Sequence, residues 1–458
     1  MPYDFDVVVI GGGPGGYVAA IRAAQLGKKT CLVEKQALGG VCLNRGCIPT
    51  KTIIKSINVL NTVKSAEKFG VRGVDAEQCR VDLSQVQQRK RQVVKKLTGG
   101  VAYLLNANGV EVVQGEAGFI DNHTIKVGER AVSGEHMIIA TGSLPVEPPI
   151  PKEGNVPVLV SDEVLELTEV PGEVAIIGGG VIGIEFAFIL SRLGAGVTVI
   201  ELMEEILPAV DMEIAQKVKA FLKAGGVVIH TGAKVTNFVG NRVYFRKNGA
   251  VESVKADKIL LAAGRKPDVN GLSLEAAGVR VSKNGVPVNT RMQTNVDSIY
   301  AVGDVNGRCM LAHVASMEGM VAVENICGNE ARVDYGKAPR CIYLDPEIAS
   351  AGMTEREALE KGLDIKVGRF SYSGNGKAVI EAGETGFIKV IIDRKLGEII
   401  GAHMIGAHAT EMIAELVLAM NLEGTAEELI YSIHPHPSIS EVIPEAFHAA
   451  LHKAIHAV

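Results

Sequence analysis

Two cysteines with four residues between them stand in the most chemically specific stretch of the chain, Gly39-Gly-Val-Cys42-Leu-Asn-Arg-Gly-Cys47-Ile-Pro-Thr-Lys51. A thiolate is a nucleophile and a soft metal ligand, and two neighbouring thiols can also exchange electrons as a disulfide. Gly46 lets the chain fold back, so the two sulfurs can meet. Pro49 suits the first turn of a helix expected over Thr50 to Leu60. Near that N-terminus the helix dipole supports a thiolate at Cys47. Two buried cysteines, or half of a metal site, are the alternatives. A metal site needs two more ligands, and Cys309, Cys327 and Cys341 show no paired spacing.

The elements around this pair form an internal duplication. Asp6-Val-Val-Val-Ile10 leads into Gly11-Gly-Gly13-Pro-Gly-Gly16, then a helical stretch ending at Leu26-Gly27, then an apolar run ending in Glu34. Glu173-Val-Ala-Ile-Ile177 leads into Gly178-Gly-Gly180-Val-Ile-Gly183, a helix ending at Leu193-Gly194, and a run ending in Glu201. Glycines, Leu-Gly pairs and glutamates are all offset by 167 residues. Strand, glycine turn, helix and acid make a dinucleotide-binding unit: the glycines permit the tight turn and a close backbone approach to a pyrophosphate. The helix N-terminus offers amide donors to the phosphates. The acid at the second strand's end hydrogen-bonds a ribose diol and repels a 2′-phosphate, so Glu201 points to NAD over NADP. Glycine punctuation in an ordinary α/β sheet is the rival explanation.

Composition bounds the rest. At roughly 150 residues per domain, 458 residues suggest about three domains. Lys plus Arg is 47 against 52 for Asp plus Glu, a net of −5, which excludes a general nucleic-acid binder and gives no reason to expect an anionic membrane partner. No run reaches the ~18 apolar residues needed to span a bilayer, and the start of the chain lacks a basic signal-peptide region. Seven mostly scattered cysteines fit a reducing cytoplasm better than a secreted disulfide framework. Pro145, Pro148, Pro149 and Pro151 read as a linker, and Asn248-Gly249 as a hairpin turn. Beyond about Tyr335 the pattern changes to β-like runs (Gly386 to Ile392, Ile399 to Met404) and a helical period over Ala407 to Met420, an α+β module.

The glycine turns, Cys42 to Lys51, the Gly303-Asp304 element, Met310-Leu-Ala-His313 and His434-Pro-His436-Pro-Ser-Ile-Ser-Glu441 together resemble the flavin-dependent pyridine nucleotide–disulfide oxidoreductases over nearly the whole chain. Within that family the chain resembles the branch acting on dihydrolipoamide. The resemblance implies an α/β fold with two Rossmann-like dinucleotide-binding domains plus a C-terminal α+β dimerisation domain. Residues 1–147 would bind FAD, 148–270 would bind NAD, 271–336 would return to the FAD domain, and 337–458 would form the interface of a homodimer with shared active sites. Gly11, Gly13, Gly16, Glu34, Gly115, Thr141, Gly142, Ser143, Asp304, Met310, Leu311, Ala312 and His313 match FAD-contacting positions. Gly178, Gly180, Gly183, Glu201, Val235 and Gly264 match NAD contacts. Lys51 matches a lysine near the flavin, with Glu185 as its ion-pair partner.

The resemblance makes Cys42 and Cys47 a redox disulfide. His436 would be the base toward the incoming dithiol, oriented by Glu441 and held stiffly by Pro435 and Pro437. The implied reaction oxidises protein-bound dihydrolipoamide to lipoamide and reduces NAD, with a lipoyl-bearing protein of a multienzyme complex as partner, and with neither nucleic acid nor membrane. Rival readings are a reductase of another disulfide, a mercuric reductase and a non-catalytic structural subunit. Arg45 between the cysteines either tunes the pair or is an exposed loop charge. His448, His452 and His456 fall at i, i+4 and i+8 on an expected final helix, either as a solvated or interface face or as a metal-binding row.

Overall fold

An apolar run without alternation must be covered on both faces. In the computed structural model, which describes residues 3–456, the first such run is strand β1 (Phe5–Ile10), buried at all but one position. It is followed by helix α1 (Pro14–Gln25) and strand β2 (Thr30–Glu34). β1 lies between β2 and the strand Arg130–Ile139, parallel to both, in a seven-stranded sheet. After β2 come the short helix α2 (Gly40–Arg45) and helix α3 (Cys47–Lys64), which starts three residues before the expected helix and ends four beyond it. Pro49 still lies in the first turn, where a missing N–H breaks no helical bond. The 25-residue helix α4 (Leu83–Ala107) opens at Asp82, whose carboxylate accepts the Ser84 and Gln85 amides. From α4 the buried Lys90 donates to Leu165 O at 2.7 Å and pairs with Glu166, which holds the segment Leu159–Glu169 in place. The described residues up to Pro148, together with Leu159–Glu169 and Leu261–Tyr335, make one compact unit.

Pro149–Val158, Val170–Leu260 and the described residues from Gly336 onward make a second. Here the strand Glu173–Ile177, the helix Val181–Leu193 and the strand Gly196–Ile200 repeat the β1–α1–β2 order, and the two strands run parallel. The expected hairpin pairs Arg242–Lys247 with Ala250–Lys255. Asn248 and Gly249 both take positive φ (50° and 81°), as a two-residue primed turn requires. The C-terminal part is a five-stranded antiparallel sheet, with the helices Ala409–Asn421 and Val442–Ala450 packed into its core. Lys389, 2% exposed, donates to Asp211 at 2.9 Å and pairs with Glu213 and Glu355 at 2.7 Å each. Glu213 is also gripped by Arg369, which ties the helix Met212–Ala224 to this sheet.

The histidine row does not form. The last helix ends at Ala450, so only His448 is helical. His452 has a left-handed φ of 56°, and His456 turns back to Glu445, with its Nδ1 at 2.7 Å. Among the described residues no group of three or more His, Cys, Asp or Glu is placed to hold a metal ion. No helix among them is long and apolar enough to cross a membrane.

Candidate active site

In the first unit the glycine turn is built for close approach. Gly11 has φ 108°, and a Cβ there would lie 2.4 Å from Ala140 O. A Cβ on Gly16 would lie 1.8 Å from Gly11 O, so the first turn of α1 presses directly on the loop. Gly13 caps α1 with no side-chain acceptor, which leaves the helix amides to a ligand. Glu34, buried at the end of β2, accepts the Gly12 amide at 2.7 Å and the Gln36 amide at 2.6 Å. The Gly115 amide donates to Glu34 O at 2.9 Å. An anionic dinucleotide with a ribose beside Glu34 fits this cradle: the uncapped amides of α1 are left for its phosphates, and a side chain at Gly11 or Gly16 would strike backbone and force the turn open.

Farther along the same sheet, Thr141-Gly142-Ser143 turns away from the strand Arg130–Ile139, and Gly142 has φ 76°. Thr141 Oγ1 donates to Asp268 O at 2.7 Å. Ser143 donates to Asp304, and Arg265 Nε donates to Ser143 Oγ at 2.8 Å. Burial pushes the Asp304 carboxyl upward, against the Ser143 hydrogen bond and the Arg265 charge. Gly264 has φ 108°, and its carbonyl accepts the Val146 amide at 2.9 Å. Met310 is partly exposed, and Leu311 caps the helix Ala312–Ile326, so Ala312 and His313 open it.

The cysteine pair lies in this unit. Cys42 is on α2 and Cys47 is the first residue of α3, with Gly46 between the helices. The two side chains hydrogen-bond each other. The Cys42 thiol is held well above the usual thiol range, first by that bond, then by burial and the nearby Cys47 charge. Lys51, one turn along α3, pulls it the other way. Tyr17 on α1 stands close enough for Cys42 to raise its hydroxyl pKa further, although burial is the larger cause. Arg45 is no isolated loop charge: its Nε lies 3.2 Å from Asp162 Oδ2. Tyr17 and Asp162 were not singled out by sequence reasoning. Tyr17 directly follows the last glycine of the first turn, whereas Asp162 lies over a hundred residues from Cys42 and gave no local signal.

In the second unit Gly178 has φ 117°, Gly180 caps the helix Val181–Leu193 without a side-chain acceptor, and a Cβ on Gly183 would lie 2.0 Å from Gly178 O. Glu201 accepts the Gly179 amide and, at 2.7 Å, the Met203 amide. This repeats the Glu34 brace, and the residues fit a second dinucleotide. Val235 is half-buried on the strand Ala233–Val239. Glu185, buried on the helix, accepts the Tyr343 amide at 3.0 Å. Exposed His436 has its Nδ1 2.9 Å from Glu441 Oε1, and Glu441 Oε2 accepts the Ser438 amide at 2.9 Å. Burial pushes the Glu441 carboxyl up, but the Ser438 amide and His436 outweigh it and hold it below the usual range. A carboxylate fixed at both oxygens can hold one imidazole nitrogen and leave Nε2 for chemistry.

Known proteins match along the whole chain. The family profile described as pyridine nucleotide-disulphide oxidoreductase matches residues 5–319, and its dimerisation domain matches residues 338–447. A dihydrolipoyl dehydrogenase of Bacillus subtilis is 42% identical over 98% of this chain and 100% of its own. Another, from Geobacillus stearothermophilus, is also 42% identical, over 99% of this chain and 97% of its own. The HOCl-induced flavoprotein disulfide reductase RclA from Escherichia coli superposes with a TM-score of 0.86 at 31% identity, covering 96% of this chain and 99% of RclA. The fold, the paired cysteines and these matches agree, and the chain belongs to the pyridine nucleotide–disulphide oxidoreductases, with FAD and NAD as its cofactors.

Proposed function

We propose that this enzyme oxidises protein-bound dihydrolipoamide to lipoamide and reduces NAD+ to NADH, as the shared subunit of a 2-oxoacid dehydrogenase or glycine cleavage complex acting in the cytoplasm. The observation that carries the reading is the Cys42–Cys47 contact at the start of α3, in the unit that holds the Glu34-braced glycine turn. The substrate class follows from full-length relatives named dihydrolipoyl dehydrogenase. Residues 1–147 and 271–336 serve FAD, 148–270 serve NAD, and 337–458 form a homodimer in which each His436 serves the partner's cysteines.

His436 Nε2 takes a proton from one substrate thiol while Glu441 stabilises the imidazolium. The thiolate attacks Cys42 Sγ, the Cys42–Cys47 bond breaks, and Cys47 leaves as a thiolate. The N-terminal end of α3 and Lys51 favour that charge. The second substrate thiol then attacks the mixed disulfide and expels Cys42. Cys42 takes a proton, in keeping with its raised pKa. Lipoamide leaves, and two electrons now reside in the cysteine pair. FAD and NAD, when bound, carry that electron pair onward, so that dithiol plus NAD+ gives disulfide, NADH and a proton. Glu34 and Asp304 orient the first dinucleotide, and Glu201 selects NAD.

Cys47→Ser tests this. The variant should keep its flavin and its NADH-driven reduction of an artificial acceptor, and lose dihydrolipoamide oxidation. Retained dihydrolipoamide turnover would refute the assignment. Loss of nothing but NADH-driven reduction of some other disulfide would favour the reductase reading that the RclA likeness suggests.

A further inference from the structure

Glu318 sits in the middle of the helix Ala312–Ile326 and is fully buried. No part of the chemistry above uses it. A buried carboxylate is unfavourable unless donors surround it. Here Oε2 accepts the Gly303 amide and the Asn306 side-chain amide, the latter at 2.8 Å. Oε1 accepts the Tyr335 hydroxyl at 2.6 Å. Burial raises this carboxyl and the three donors oppose it. Two of those donors belong to the turn Gly303–Asn306, which carries Asp304. Gly303 has φ 74°, a left-handed backbone that glycine takes without strain, so it lets the turn form and the Glu318 carboxylate fixes it. The helix that supplies Glu318 is itself locked against the glycine turn of the same unit: a Cβ on Gly319 would lie 2.4 Å from Gly15 O. Glu318 thus sets Asp304 relative to Gly11–Gly16 through rigid neighbours.

We propose that Glu318 is a positioning residue of the flavin site, whose carboxylate fixes the Gly303–Asn306 turn and so aims Asp304. This rests on the reading that Asp304 contacts the flavin nucleotide. The test is the dissociation constant of FAD from the flavin-stripped full-length chain, followed by flavin fluorescence, with the melting temperature of the stripped chain recorded alongside. E318L leaves the Gly303 amide and the Asn306 side chain unpaired, and should weaken FAD binding at least tenfold. E318Q keeps an acceptor on both, with the Tyr335 hydroxyl turned to accept, and should stay within about threefold of wild type. D304A should also weaken FAD, and E318L combined with D304A should be no weaker than D304A alone.

If D304A binds FAD as wild type does, the reading of Asp304 has failed. If D304A is weakened but E318L is not, or if the two losses multiply, Glu318 is only structural and the proposal is overturned. Should E318L not fold, Y335F, which strips one donor from the carboxylate, takes its place. It should weaken FAD about threefold in the wild-type background and not at all with D304A, and an equal effect in both would overturn the proposal.

Discussion

Replacing Glu201 by glutamine should split the reaction in two. Both carboxylate oxygens accept backbone amides, from Gly179 and Met203. A glutamine must turn its NH2 toward one of those amides, so that a donor faces a donor. A hydrogen bond to a charged group contributes about 1.5–3 kcal/mol, more if a buried donor is left unpaired. NADH should therefore bind about 10- to 150-fold more weakly, and selection against NADPH should relax because the repelling charge is gone. Dihydrolipoamide reaches the cysteines of the first unit, so flavin reduction by the dithiol should keep its wild-type rate. The assay is anaerobic rapid mixing, with dihydrolipoamide and NADH tested separately as reductants. E34Q is the matched control: Glu34 makes the same brace to Gly12 and Gln36, and its loss should release FAD instead. If E201Q slowed both half-reactions equally, or left NADH affinity unchanged, the division of labour between the two glycine turns would be wrong.

His436→Ala should lower kcat/KM for dihydrolipoamide by about 10²–10⁴, and E441Q by about tenfold, with NADH-driven reduction of an artificial acceptor intact in both; steady-state kinetics in each direction check this. Acid should destabilise the fold through His403. Its Nε2 lies 2.8 Å from Met353 O, its Nδ1 is buried without a partner, and burial holds its pKa below the usual value. The unfolded chain binds a proton there below about pH 6.5 and the folded chain resists it, so stability present above pH 6.5 falls as pH drops. The melting temperature should fall less between pH 7 and pH 5 in His403→Gln than in the wild type; parallel curves would remove His403 from the account.

The duplication was legible because each unit reports itself locally. The tight turns need glycine at Gly11 and Gly178, the close approaches need it at Gly16 and Gly183, and Glu34 and Glu201 reach back to the turn amides. The cysteine contact was legible for the same reason, since Gly46 and the start of α3 lie within the same short stretch. The Asn248-Gly249 turn demanded its own residue types. What escaped was long-range. Lys389 meets Asp211 from 178 residues away, and Arg45 meets Asp162 from another element. Glu318 looks like an exposed helix acid until the Gly303–Asn306 turn and Tyr335 close around it. The histidine row failed because spacing assumes a continuing helix, and the left-handed backbone at His452 ends that assumption.

The central claim is one relay from dithiol through Cys42 and Cys47 to flavin and NAD. An anaerobic titration of the purified flavoprotein tests it most directly: dihydrolipoamide first, then NAD+, with the visible spectrum recorded throughout. The account predicts that dihydrolipoamide changes the flavin spectrum at one equivalent per subunit, and that NAD+ restores it with one equivalent of NADH formed. A flavin that ignores dihydrolipoamide yet is reduced by NADH would contradict the claim and move the substrate to a different disulfide.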